Sequence, residues 1–150
     1  MRRRRAIMIG STAAWLGFIF ARSLRTGFQS GRESKAALSL LQAALPFGMT
    51  EHMLRKLAHF SEFGALGFLL ACVPWRQGAS RPSRWVLASL LGMLAAVCDE
   101  TLQLFVEGRG SSLIDVWIDS SGAACGAFLA LLIGAIIGAA ARYFRKDRKS

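Results

Sequence analysis

The sequence predicts an all-α fold: a four transmembrane helix bundle with an extracytoplasmic amphipathic helix between helices one and two. Three observations carry this prediction. Of the 150 residues, 53% are hydrophobic. They gather in four long blocks, 6–21, 57–75, 85–106 and 113–141, close to the ~20 mostly apolar residues that a membrane-crossing helix needs. Most of the 19 Lys and Arg residues sit at alternate ends of those blocks, in Arg2 to Arg5, in Arg76, Arg81 and Arg84, and in Arg142, Arg145, Lys146, Arg148 and Lys149. A chain of this length makes a single domain. The basic patches place both termini and the "RQGASRPSR" loop in the cytoplasm by the positive-inside rule. The net charge of +10 therefore belongs to membrane topology and anionic lipid, and nucleic acid is not an expected partner.

The first block follows a basic start, "MRRRRAIMIGSTAAWLGFIFA", as a secretory signal does. Ile19 rather than a small residue precedes Ala21 by two, so the small-x-small cleavage pattern is missing and the block is expected to remain as helix one. The next segment, "ESKAALSLLQAALPFG", sets Ala37, Leu38, Leu41, Ala44 and Leu45 on one side, with Ser39 and Gln42 elsewhere. That pattern suits an interfacial helix ended by Pro46 and Gly48, either a lid over the outer ends of the bundle or a helix floating among headgroups.

Helix two opens with "RKLAHFSEFGALGF", in which Lys56, His59 and Glu62 step by three and share one flank. Helix three carries Asp99, Glu100 and Gln103 near its outer end, and Arg109 follows it. At 1.5 Å per residue, Glu62 and Asp99 both lie ~20 Å from the cytoplasmic ends of their helices, in the outer third of a core ~30 Å thick. Helix four brings Asp115 and Asp119 into the same layer, and Gly122 and Gly126 continue their stripe as a small-xxx-small surface for close helix approach. Cys72, Cys98 and Cys125 fall inside apolar blocks and read as small packing residues, with no disulfide.

Charges in a bilayer are costly, so clustered ones face one another or a wet cavity. The expected binding residues are Lys56, His59, Glu62, Asp99, Glu100, Gln103, Arg109, Asp115 and Asp119, with Lys56, His59 and Arg109 neutralising the acids. The five carboxylates outnumber these bases, so a proton, a cation or a positively charged ligand would be welcome among them. Arg109 and Lys56 suit a phosphate or carboxylate. If the site is catalytic, the best candidates are His59 as general acid or base, with Glu62 or Asp99 fixing its tautomer. A third reading is an ion-pair network that only fixes packing. No cofactor and no metal are expected; the metal alternative joins His59 to Asp99 and Glu100, with His52 two turns higher.

Three segments in order, "RKLAHFSEFGALGFLL", "DETLQLFVEGR" and "DVWIDSSGAACG", resemble the VanZ-like family of small bacterial membrane proteins, and "FQSGRESKAALSLLQAAL" resembles that family's Ser-containing extracytoplasmic segment. The likeness runs from about Gln29 to the end of helix four. The family pattern falls on Lys56, His59, Phe60, Glu62, Asp99, Glu100, Gln103, Arg109, Asp115 and Asp119, while Phe63 stands where Tyr is common and Glu107 where Pro is often seen. The resemblance implies a multi-pass protein of the bacterial cytoplasmic (inner) membrane that serves the cell envelope, through glycopeptide (teicoplanin) resistance or a housekeeping role. Its implied partners are membrane lipids, a lipid-linked cell-wall precursor or a glycopeptide, and a second copy of the chain, a homo-oligomer, stays open.

Overall fold

A computed structural model describes residues 2–44, 48, 50–75 and 78–147. These residues form five α-helices and no strand: α1 (Arg2–Ser23), α2 (Gly27–Ala44), α3 (Glu51–Cys72), α4 (Arg81–Gln103) and α5 (Leu113–Asp147). The arginine run is helical from Arg2, and α2 begins at Gly27, ahead of the expected Glu33. The stop expected at Pro46 and the placement of the Leu41, Ala44 and Leu45 side chains lie outside the described residues.

Each later helix starts where a hydroxyl can satisfy its free amides. Thr50 Oγ1 accepts from Met53 N at 3.2 Å and Ser80 Oγ from Ser83 N at 3.2 Å, with Pro82 in the first turn of α4. At the start of α5, Ser112 Oγ accepts from Ile114 N at 3.2 Å, and Asp115 adds a negative charge at the positive end of the helix dipole.

Helix α3 is the hub, packed on every other helix, while among the described residues α1 meets α3 and α4, and α2 meets α3. The α3–α5 contact is the most extensive, and the two helices run parallel, since Lys56 faces Asp115 and Gly64 faces Gly126. Glycine decides how closely they approach. A Cβ at Gly126 would overlap the Gly64 carbonyl, one at Gly122 the Phe60 carbonyl, and one at Gly67 the Ala123 carbonyl. The small-residue stripe of α5 thus docks on α3 of the same chain. Side chains fill the rest: Phe63, Leu66, Leu70 and Ala71 of α3 meet Ala88, Ala95 and Ala96 of α4 and Ala123, Ala127 and Ala130 of α5. Such a core, rich in alanine, suits helices held by close packing in lipid.

Large apolar side chains cover the outside, among them Ile7 and Phe18 of α1, Leu90 and Leu94 of α4, and Phe128, Ile136 and Ile137 of α5. Exposed apolar surface on that scale marks a membrane contact. Three helices, α1, α4 and α5, are long and apolar enough to cross a bilayer. Helix α3 has the length, but its first half carries Glu51, Arg55, Lys56, His59 and Glu62. The thiols correct one expectation: Cys72 is half-buried, but Cys98 and Cys125 are exposed on the helix surfaces.

Candidate functional site

Polar side chains converge at the end of the bundle where α3 and α5 begin and α1 and α4 finish. The parallel register of α3 and α5 makes a short ladder. Lys56 Nζ donates to Asp115 Oδ1 at 2.6 Å, and one turn further His59 Nδ1 stands 3.6 Å from Asp119 Oδ2. Asp119 is fully buried, because Gly122 lets α5 lie against α3 immediately beyond it.

The third member of the α3 series, Glu62, turns toward α1 and pairs with Arg22. The Trp15 indole donates to the Glu62 carbonyl oxygen at 2.9 Å, which holds α1 in place for that pair. One residue on, Ser23 Oγ donates to Asp99 Oδ1 at 2.5 Å. Gln103 Nε2, one turn along α4, donates to Asp99 Oδ2 at 2.9 Å, so the fully buried Asp99 has a donor on each oxygen. Glu100 Oε2 accepts from Ser112 N at 2.8 Å and ties the end of α4 to the start of α5.

The structure therefore gathers all nine residues anticipated for the site, but it changes their pairing. Arg109 was expected to neutralise an acid; among the described residues it pairs with no carboxylate, and Arg22 takes that part. Asp119, rather than Glu62 or Asp99, comes within ion-pair distance of His59. The sequence reading missed Arg22, Ser23, Trp15 and Arg55. The signal was present in the polar end of the first apolar block, but only packing shows that this end abuts Glu62 and Asp99.

Two cavities open here. One of about 270 Å³ lies among α3, α4, α5 and the α4–α5 loop, and reaches Lys56, His59, Glu100, Asp115 and Asp119. The other, about 390 Å³, is bordered by α1, α2 and α3. Arg55, His59 and Arg109 line both. The roof is fixed by glycine: Gly27 N donates to the Glu107 carbonyl at 3.0 Å, and Gly108, at φ 71°, sets its carbonyl where a Cβ on Gly27 would collide. Burial pushes the Arg109 guanidinium below its ordinary pKa; Asp99 pulls it back up, while Arg55 and Arg22 push it further down. An arginine stays charged through such a shift.

For a metal, His59, Asp99 and Asp119 each offer one ligand atom, all within 4.8 Å of one another. The alternative drawn from the sequence had Glu100 in the place of Asp119; Glu100 is engaged by the Ser112 amide.

Apolar spans, an apolar outer surface and a polar chamber at one end of the bundle define a multi-pass membrane protein. The sequence model of the VanZ/LLP1 family matches residues 8–139, nearly the whole chain, and the protein belongs to that family. No curated protein and no solved structure matches it.

Proposed function

We propose that the protein crosses the bacterial inner membrane four times, α3 included, and binds the anionic headgroup of an envelope lipid or lipid-linked wall precursor in a chamber that opens outward. One observation carries the binding reading. Arg55 and Arg109 line both cavities, and among the described residues neither pairs with a carboxylate. Guanidinium groups bind phosphate and carboxylate through paired hydrogen bonds, and Arg109, which is half-buried, gains more from such a partner than the exposed Arg55. Side chains of α2, including Ser30, Ser34 and Ala37, border the second cavity, in keeping with a lid. Membrane passage of α3 is supported by its pairing, since Lys56, His59 and Glu62 face α1 and α5 and leave its apolar second half to the core. On this reading a teicoplanin phenotype arises through the precursor that the drug targets.

Native mass spectrometry of the detergent-purified protein tests the ligand class. Phosphatidic acid and a polyprenyl phosphate should be retained, and diacylglycerol should not. Arg55→Gln with Arg109→Gln should weaken retention by about 100-fold or more, each lost charged hydrogen bond being worth about 1.5 to 3 kcal/mol. Equal retention of the neutral lipid, or an unaffected double variant, would refute the reading.

Orientation has its own test. A reporter active only outside the cytoplasm should work when fused after Gly110, and a cytoplasmic one when fused after Gly78. The reverse pattern would put the chamber on the cytoplasmic side.

A further inference from the structure

We infer that His59, Asp99 and Asp119 form a binding site for one divalent transition-metal ion, Mn²⁺ or Zn²⁺. The three come from α3, α4 and α5, and their ligand atoms lie within 4.8 Å of one another. A cluster of acids alone would mean little. The second observation is Asp119 itself: it is fully buried, and among the described residues neither carboxylate oxygen has a hydrogen-bond donor. His59 Nδ1 is also buried without a partner, and at 3.6 Å from Asp119 Oδ2 it is too far to serve as one. A buried carboxylate and a buried ring nitrogen that face each other without a hydrogen bond are an unfavourable arrangement in a protein interior, and a cation between them removes the penalty.

Charge points the same way. Asp99 and Asp119 as carboxylates with a neutral imidazole sum to two negative charges, which a divalent ion balances. Of the nearby side-chain cations, Arg22 is engaged by Glu62 and Lys56 by Asp115, and Arg55 and Arg109, which line the same cavity, form no ion pair with Asp99 or Asp119 among the described residues. Asp99 is held for the task, because Ser23 and Gln103 each donate to one of its oxygens, and outer hydrogen bonds of this kind orient metal ligands. One nitrogen with two carboxylates favours Mn²⁺ or Zn²⁺ over Mg²⁺ and Ca²⁺, which prefer oxygen throughout. Three protein ligands leave coordination positions open, and the 270 Å³ cavity that reaches His59 and Asp119 gives water or a ligand oxygen access to them.

The site is independent of the phosphate reading, because it is measured without lipid. The protein is purified in detergent, stripped with a chelator, dialysed, and titrated with MnCl₂, ZnCl₂, MgCl₂ and CaCl₂. One equivalent of Mn²⁺ or Zn²⁺ should bind, at least tenfold more tightly than Mg²⁺ or Ca²⁺. Asp119→Asn should weaken it at least tenfold, and Ser23→Ala, which only orients Asp99, by about 10-fold or more. Should Asp119→Asn fail to fold, unmodified protein grown with ¹⁵N-histidine decides the matter: electron spin-echo spectra of bound Mn²⁺ should show coupling to one imidazole nitrogen. No binding above the Mg²⁺ level, undiminished binding in Asp119→Asn, or bound Mn²⁺ without nitrogen coupling would each overturn the site.

Discussion

Gly126→Val should abolish accumulation of folded protein in the membrane, while Gly64→Ala should leave it unchanged. Both glycines lie on the α3–α5 contact, but they face different things. A Cβ at Gly126 runs into the Gly64 carbonyl, and backbone atoms of a packed helix cannot swing aside as a long side chain can. A Cβ at Gly64 meets the Gly122 carbonyl at 3.6 Å, an ordinary contact. Overpacking a tight core usually costs about 1 to 3 kcal/mol; forcing two backbones apart along their main contact should exceed the upper value. The separation would also pull Lys56 from Asp115 and His59 from Asp119, so the chamber fails with the fold. Membrane abundance and thermal unfolding in detergent measure both variants. A Gly126→Val protein with unchanged melting would disprove the close approach.

Arg22→Met should destabilise the protein by about 2 to 3 kcal/mol, with most of the loss regained in the double variant Arg22→Met/Glu62→Gln. Removing one partner of a fully buried ion pair typically costs about 3 to 5 kcal/mol, because the remaining charge is stranded in low dielectric. The Glu62 side chain is only 12% exposed but that of Arg22 is 38% exposed, so water recovers part of the cost and the lower range applies. The Gln replacement removes the stranded charge and keeps the shape. Equilibrium unfolding in a denaturing detergent series measures the three proteins. A stable Arg22→Met variant would show that α1 is held by Trp15 and Ser23 without the ion pair.

Much of this architecture was legible before any fold was known. Four apolar blocks gave the long helices, and the helical rise put Glu62 and Asp99 at similar distances along theirs. Spacings of three and four residues placed Lys56 and His59 together on α3, and Asp115 and Asp119 on one stripe of α5, whereas Glu62, expected on the same flank, turns to α1. The order of these motifs resembled the family to which the chain belongs. Rise and periodicity are local properties, fixed by the helix itself, so they can be read from a string of residues.

Only the tertiary structure decided who faces whom. Depth does not give the rotation of one helix against its neighbour, and that rotation is set where Gly67, Gly122 and Gly126 let backbones touch. The packing of α1 on α3 and α4 brought its end to the chamber, so that Arg22 neutralises Glu62 and Ser23 holds Asp99, and Arg109 has no carboxylate partner among the described residues. Helix rotation also set Asp119 beside His59 and gave Glu100 to the Ser112 amide. Charge pairing depends steeply on distance in a medium with little water, and differences of a few ångströms in packing chose among partners that the sequence made equally available.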